Sequence, residues 1–224
     1  MNAKGHWQTI YQAKGPDQLS WFQAEATVSR DLIVRFAPDR DAQIVDVGGG
    51  ASTLVDGLLV AGYRHVTVFD LSAAALAHAR RRLGAAAASV EWREDDVLSV
   101  QFPEGAVDVW HDRAVFHFLT AAEDRERYVA QVRQAVKPGG LVLVATFAED
   151  GPTRCSGLET RRYSPTALHA EFGDDFALVS SQREGHITPT GVEQAFTYCV
   201  CRYRPRDEAR GAGLVTSGLG VTGG

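Results

Sequence analysis

Cysteines, long apolar runs and basic runs are scarce in this chain of 224 residues, and each scarcity excludes a class of protein. Three cysteines, Cys155, Cys199 and Cys201, do not make a disulfide framework, so we expect a reducing, cytoplasmic setting. No apolar stretch approaches the ~20 residues of a membrane span, and the first residues lack the apolar core of a secretory signal. A net charge of −5 without a Lys/Arg-rich run argues against nucleic-acid binding. No metal site is expected, because Cys199 and Cys201 have too few potential ligands nearby and fit small core positions.

What the sequence does contain is an apolar strand that ends in three glycines. Residues 44–50 read Ile-Val-Asp-Val-Gly-Gly-Gly, and a second strand, 65–70, ends at Asp70. Glycines after a strand let a ligand approach the backbone at a point where a Cβ would collide with it. Ser52 can cap the helix that follows, and an acid at the end of the second strand can accept hydrogen bonds from ribose hydroxyls. Glycines and acids are also ordinary turn residues, but this full order favours a nucleotide-type cofactor.

The glycine spacing distinguishes between cofactors. A dinucleotide-binding fingerprint counted from Gly48 would need a glycine at position 53, where Thr53 stands. The segment Asp46-Val47-Gly48-Gly49-Gly50-Ala51-Ser52 resembles instead the first motif of class I S-adenosylmethionine (SAM) methyltransferases, Asp-x-Gly-x-Gly-x-Gly. Ser52 replaces the last glycine of that motif and slightly tightens the space near the methionine part of the cofactor. The resemblance covers roughly residues 7–204 and implies SAM as the cofactor.

The same resemblance implies which residues hold SAM. The acid after the second strand, Asp70, would hold the ribose, and an acid after the third strand would contact the adenine. Asp96 matches that second acid best, and its neighbour Asp95 stays open as the alternative. The implied cofactor-binding residues are Trp21, Asp46, Gly48, Gly49, Gly50, Asp70, Leu71, Asp95, Asp96 and Val97.

Apolar residues at helical and strand spacing predict an alternating α/β order. After two short helices, at 6–11 and 21–36, the expected elements are strand 44–47, helix 52–61, strand 65–70, helix 72–83, strand 90–93, strand 107–111, helix 121–136 and strand 141–147. A helix at 164–172 precedes strands 176–181 and 194–203, which should pair as an antiparallel hairpin because no helix separates them. The pattern resembles the class I methyltransferase fold, a Rossmann-like, doubly wound, mostly parallel seven-stranded sheet that ends in such a hairpin.

This order also suggests how the chain is divided. We expect residues 1–36 to form an N-terminal helical lid of the same domain and residues 37–204 to form the SAM-binding methyltransferase domain. Residues 205–224 are Gly-rich and poor in apolar side chains, which predicts a flexible tail. Thr120 and Glu123 have the spacing of a capping box for the helix that begins near them.

Polar and aromatic side chains are concentrated where the fourth strand ends. His111, Asp112, Arg113 and His117 are the candidate catalytic residues, since the crevice beyond the strand ends is where open α/β sheets bind ligands. Each histidine could accept a proton or orient an acceptor, or could be a hydrogen-bonded structural residue. Asp112 and Arg113 could form an internal salt bridge or clamp a loop. A similar Asp-Arg pair ends this strand in thiopurine and related thiol methyltransferases, and that resemblance favours a place in the pocket.

Aromatic residues of the N-terminal segment are candidates for a lid. Trp7 and Tyr11 lie four apart and share a helix face, and a cationic sulfonium is attracted to aromatic rings. The alternative is that these rings only pack on the core. With Phe22, and with Cys155 in a loop just past the fifth strand, they make up the predicted substrate pocket.

The chain is therefore expected to methylate a small acceptor. The inferred pocket is aromatic with only a histidine or two, which suits a thiol or sulfide, because a thiol is partly ionised near neutrality and needs little general-base catalysis. A protein-lysine methyltransferase is the alternative, and a non-catalytic SAM-binding protein is the alternative from another class. The sequence does not predict the oligomeric state.

Overall fold

The computed structural model describes residues 3–206, and these form one main sheet covered by helices. The α-helices of this part of the chain are α1 (Ala3–Ala13), α2 (Thr27–Phe36), α3 (Leu54–Val60), α4 (Ala73–Leu83), α5 (Ala122–Ala135) and α6 (Pro165–Phe172). Its strands are β1 (Gln43–Val47), β2 (His65–Asp70), β3 (Val90–Glu94), β4 (Val107–Arg113), β5 (Val136–Phe147), β6 (Arg154–Cys155), β7 (Leu158–Glu159), β8 (Phe176–Ile187) and β9 (Glu193–Tyr203). Of the predicted tail, residues 207–224 lie outside the described part of the chain.

The main sheet has seven strands in the order β3-β2-β1-β4-β5-β9-β8. Strands β1 to β5 run parallel, whereas β9 is antiparallel to β5 and β8 is antiparallel to β9. This confirms the predicted Rossmann-like sheet with its terminal hairpin. The chain winds in one direction from β1 to β3 and in the other from β4 onward. The crevice between the carboxyl ends of β1 and β4 is therefore the topological switch point, where such sheets bind ligands.

Each face of the sheet buries its own apolar core. Alternate side chains of a strand point to opposite faces, so β5 contributes Leu141 and Leu143 to the core under α2 and α3, and Val142 and Val144 to the core under α5 and α6. Burial on both faces explains why residues 141–145 of β5 are all apolar.

Several helix boundaries match the prediction, and one capping prediction is wrong. Ser72 and Ser164 cap α4 and α6 by accepting hydrogen bonds from the N–H groups of Ala75 and Ala167. The Thr120–Glu123 capping box does not form, because α5 begins at Ala122 and its N-cap, Ala121, has no side chain that can accept.

Several elements differ in extent from the prediction, and helix α1 runs from Ala3 to Ala13, beyond the predicted 6–11. Helix α2 begins at Thr27, so Trp21 lies in the turn before it and not in the helix. Strand β5 begins at Val136, directly after α5, because Val136 already pairs with β4 through an irregular register. Strand β8 continues past Ser181 to Ile187, since each added residue pairs with the start of β9.

Candidate active site

The conformation and the close surroundings of the loop after β1 explain why residues 48–50 are glycines. Gly48 and Gly50 have φ angles of +59° and +37°, a conformation that side chains rarely adopt. A Cβ on Gly48 would collide with Val115, one on Gly49 would collide with the Asp46 carboxylate, and one on Gly50 would lie 2.6 Å from Asp70 Oδ2. The glycines thus let two carboxylates lie against the loop backbone, next to the space where a ligand can bind.

Asp46, the next-to-last residue of β1, belongs to a buried chain of three polar side chains. Its Oδ1 lies 2.7 Å from Nδ1 of His111, whose Nε2 lies 2.8 Å from the hydroxyl of Ser29. Oδ2 of Asp46 has no hydrogen-bond partner among the described residues, although it is buried. Sequence reasoning missed Ser29, because it sits in the first turn of α2 and belongs to no motif.

Asp70 ends β2 and is almost fully buried. Its Oδ1 accepts a 2.8 Å hydrogen bond from the N–H of Ser72, and burial raises its pKa from 3.8 to about 7. The acids after β3 lie nearby and are partly exposed: Asp95 pairs with Arg93 at 2.8 Å, and Asp96 accepts a hydrogen bond from the N–H of Leu98. Asp95 already has a cationic partner, so Asp96 remains the better candidate for the adenine.

Two adjoining cavities open at these strand ends. The larger has a volume of about 280 Å³ and extends from the acids Asp70, Asp95 and Asp96 to a set of apolar and aromatic side chains, Trp7, Trp21, Phe118, Cys155 and Leu158. We call that second part its aromatic end. The smaller cavity, of about 50 Å³, lies beside the glycine loop and is lined by Asp46, Gly49, Phe22, Gln23 and His111. Phe22 therefore lies at the glycine loop and does not line the larger cavity, contrary to its predicted place in the substrate pocket.

The N-terminal segment covers the larger cavity with aromatic rings. Trp7 lies edge-on to Trp21 and Phe118, with ring centroids 5.7 and 5.1 Å apart. Trp21 Nε1 donates a 3.3 Å hydrogen bond to the hydroxyl of Tyr11, and burial raises the pKa of that hydroxyl well above its usual value. Gln8 ties the segment down, because its Oε1 accepts hydrogen bonds from the hydroxyl of Ser72 and the N–H of Ala74.

Arg113 lines both cavities and is held by a buried network. Its Nε donates to the Tyr198 hydroxyl at 3.0 Å, and Nη2 lies 3.4 Å from Glu184 Oε2. Tyr198 and Gln23 donate to the same carboxylate at 2.7 and 2.8 Å. Sequence reasoning missed Glu184 and Tyr198, which arrive from β8 and β9; Glu184 lies beyond the predicted end of its strand, so no pattern in the sequence placed it beside Arg113.

Asp112 faces away from both cavities, which corrects its predicted place in the pocket. Side chains alternate along β4, so His111 and Arg113 point to one face of the sheet and Asp112 to the other. Asp112 accepts hydrogen bonds from the Tyr128 hydroxyl at 2.6 Å and from the N–H groups of Val115 and Phe116, and burial raises its pKa to about 6. It clamps the loop after β4 and forms no salt bridge with Arg113.

His117 also lies behind the cavity wall and not in it. Its ring packs against Phe118 and Phe147, with centroids 4.5 Å away in both cases. The N–H of Phe147 donates to Nδ1 at 3.3 Å, and Nε2 has no partner among the described residues. Burial, with a smaller effect of Arg113, lowers its pKa to about 3. His117 is therefore neutral and shielded from any ligand in the larger cavity by Phe118.

Cys155 lies at the aromatic end, where the sequence predicted it. It belongs to the short β6–β7 hairpin, and its Sγ is 4.0 Å from the hydroxyl of Ser20. Burial raises the pKa of the thiol, so it is protonated at neutral pH.

Comparison with known proteins agrees with this geometry. Residues 44–140 match the family described as "Methyltransferase domain". Residues 44–140 belong to a SAM-dependent methyltransferase domain. The match runs from β1 into the first residues of β5, so it includes the glycine loop, Asp70 and the β4 strand end. The glycine cradle and the unpartnered Asp46 oxygen fit SAM, which is the cofactor of this domain.

Solved structures share the methyltransferase fold. One, described under the conversion of a disulfide bond into a thioacetal group during echinomycin biosynthesis, has a TM-score of 0.73 at 17% identity and covers 91% of this chain and 93% of its own. The 1,6-didemethyltoxoflavin-N1-methyltransferase of Burkholderia thailandensis, with bound S-adenosylhomocysteine, has a TM-score of 0.69 at 21% identity and covers 90% and 87%.

Curated relatives differ in the acceptors that their names state. An eEF1A lysine and N-terminal methyltransferase of Danio rerio is 23% identical over 148 residues, which are 65% of this chain and 21% of that protein. Other relatives are named as C- and N-methyltransferases. This chain spans less than half the length of each of them. None of the helices in residues 3–206 has the length and apolar character needed to cross a membrane.

Proposed function

We propose that the protein transfers the methyl group of SAM to a small soft nucleophile, a thiol or a sulfide, bound at the aromatic end of the larger cavity. The main support for this proposal is the state of the titratable side chains at that end, which are either protonated or paired with an opposite charge. Tyr11 and Cys155 are both kept protonated by burial, and Arg113 is matched by Glu184. Asp124, at the rim, pairs with Arg127 at 3.2 Å. Among the described residues, none of these groups is placed to deprotonate a weakly acidic hydroxyl.

A thiol acceptor needs no such base. Thiols ionise partly near neutrality, and their proton can pass to solvent. Bound SAM supplies a methyl group that is already activated on a sulfonium. As the acceptor sulfur forms its bond to the methyl carbon, the bond from that carbon to the sulfonium breaks, and the charges of thiolate and sulfonium are both neutralised.

The protein's own contribution is alignment and the exclusion of water. Trp7, Trp21 and Phe118 form an aromatic wall of the cavity in which the sulfonium and the acceptor would meet, and aromatic faces attract a cation. Holding reactants near 3–3.5 Å in a fixed orientation can contribute several kcal/mol to catalysis. The structural neighbour described under the conversion of a disulfide bond into a thioacetal group agrees with the proposal, because that description names chemistry at sulfur.

A protein-lysine acceptor is the second candidate, favoured by the name of the Danio rerio relative. Against it, Trp7 and Trp21 of the N-terminal segment line the cavity and Gln8 bonds this segment to the start of α4, an arrangement that suits a small acceptor better than a protein. A cytoplasmic location, favoured by three free cysteines, stays a prediction.

A matched acceptor panel tests the proposal. S-adenosylhomocysteine release is measured with a small aromatic thiol, with the amine and alcohol of the same skeleton, and with a lysine-containing peptide. We expect turnover with the thiol and no turnover with the alcohol. The variant Gly48→Ala, which should not bind cofactor, gives the background. Turnover of the lysine peptide without any thiol turnover would replace this proposal by the second candidate.

A further inference from the structure

The chain Ser29–His111–Asp46 links helix α2 to the cofactor loop, and the reaction proposed above does not use it. All three side chains are buried, with exposures of 1%, 2% and 2%. The Oγ–Nε2 distance of 2.8 Å and the Nδ1–Oδ1 distance of 2.7 Å are those of good hydrogen bonds. Such a row resembles the catalytic triad of hydrolases, but Ser29 lines neither cavity and cannot meet a substrate.

The carboxylate of Asp46 determines which ring nitrogen of His111 donates to it. A carboxylate only accepts, so His111 donates from Nδ1 to Oδ1 of Asp46. In the neutral imidazole Nε2 is then the acceptor, and the Ser29 hydroxyl donates to it. The Asp46 carboxylate is thereby held in one orientation by a donor that is itself held in place.

That orientation leaves Oδ2 of Asp46 without a partner. The atom is buried, and no described residue bonds to it. Asp46 nevertheless lines the small cavity, beside Gly49, Phe22 and Gln23. A buried carboxylate oxygen without a donor is unfavourable, so its natural partner is a donor on a ligand, and a cationic donor gives the strongest bond.

We propose that Ser29 and His111 are positioning residues that aim Asp46 Oδ2 at the ammonium group on the amino-acid end of the cofactor. Ser29 lines neither cavity, and both ring nitrogens of His111 are already bonded to Asp46 and Ser29, so both residues act through Asp46. The inference rests on SAM as the cofactor and does not depend on the acceptor.

Two ligands separate this role from a general loss of structure. S-adenosylhomocysteine has the amino-acid end, whereas methylthioadenosine has the same adenine and ribose without it. Their dissociation constants are measured by titration calorimetry for the parent, Ser29→Ala, His111→Leu and His111→Asn. Thr197→Val is the control, because it removes another buried hydroxyl, one that donates to the carbonyl of Tyr163.

We expect Ser29→Ala to weaken the binding of S-adenosylhomocysteine by about three- to tenfold, which is the effect of one hydrogen bond. The dissociation constant of methylthioadenosine should stay within about twofold of the parent value. His111→Leu should weaken it further, and His111→Asn should recover part of the loss, because its amide can still donate to Asp46. Equal weakening of both ligands, or no change in either, would overturn the proposal. If the His111 variants do not fold, Ser29→Ala decides alone.

Discussion

We predict that ribose binding depends on pH, because Asp70, the carboxyl expected to hold the ribose, has a raised pKa, and the size of this dependence follows from that value. Burial moves the pKa of the carboxyl from 3.8 to about 7, so the group is half protonated near neutrality in the ligand-free protein. A carboxylate can accept hydrogen bonds from both ribose hydroxyls, whereas a protonated carboxyl has lost part of that capacity. Ligands that carry a ribose should therefore bind the ionised form.

Methylthioadenosine isolates this effect, since it has the ribose and no titrating amino-acid end. For one group with a pKa near 7, the ionised fraction falls about tenfold between pH 8 and pH 6, which corresponds to about 1.4 kcal/mol of binding free energy. Asp70→Asn should weaken binding at pH 8 by at least about tenfold, because a hydrogen bond to a charged group contributes ~1.5–3 kcal/mol. The variant should also lose the dependence on pH.

Titration calorimetry at pH 6, 7 and 8 measures both effects. Asp112→Asn is the control, because it removes another carboxyl of raised pKa that faces away from the cavities. This variant should keep the pH dependence of the parent. Equal affinity of the parent at pH 6 and pH 8, or a pH dependence that survives in Asp70→Asn, would refute the assignment of Asp70 to the ribose.

Three further predictions concern the loop, the core and the lid. Gly48→Ala should abolish methylthioadenosine binding in calorimetry, because φ is +59° and the new Cβ would collide with Val115; unchanged binding would contradict this. His117 has its pKa lowered to about 3, so the unfolded chain takes up its proton first as pH falls below about 6.5. The parent should therefore lose unfolding free energy through His117, on the order of 3 kcal/mol by pH 4, and His117→Asn should lose correspondingly less in urea titrations at pH 4 and pH 7; equal losses would show that the shift is absent. Gln8→Ala removes two hydrogen bonds at the start of α4, so hydrogen exchange in residues 3–23 should accelerate. In the parent, S-adenosylhomocysteine should slow this exchange. Exchange that responds neither to the substitution nor to the ligand would show that the segment is a fixed part of the core and not a lid.

The cofactor half of the site could be predicted from sequence because its signals are local. A strand that ends in glycines and a strand that ends in an acid each occupy a few consecutive residues, and parallel pairing brings both strand ends to one edge of the sheet. Asp46, Gly48 and Asp70 therefore appear together in the structure as they do in the motif.

The half of the site that would bind the acceptor depends on contacts between residues that lie far apart in the sequence, so no short segment predicts it. Asp112 and Arg113 are adjacent, but strand alternation sends only Arg113 to the cavities. Glu184, which holds Arg113, lies in a part of β8 that gains its strand conformation from pairing with β9. Histidine is a common catalytic residue, but the packing of Phe118 and Phe147 places His117 behind the wall of the larger cavity. These outcomes depend on tertiary packing.

The central claim, methyl transfer from SAM to a small sulfur nucleophile, is tested most directly by following the methyl group itself. The protein is incubated with SAM that carries a trideuterated methyl group, together with an aromatic thiol and a lysine-containing peptide, and the products are analysed by mass spectrometry. The account predicts the deuterated methyl on the thiol sulfur, and its absence in Gly48→Ala. Label on the peptide lysine with none on sulfur would contradict it.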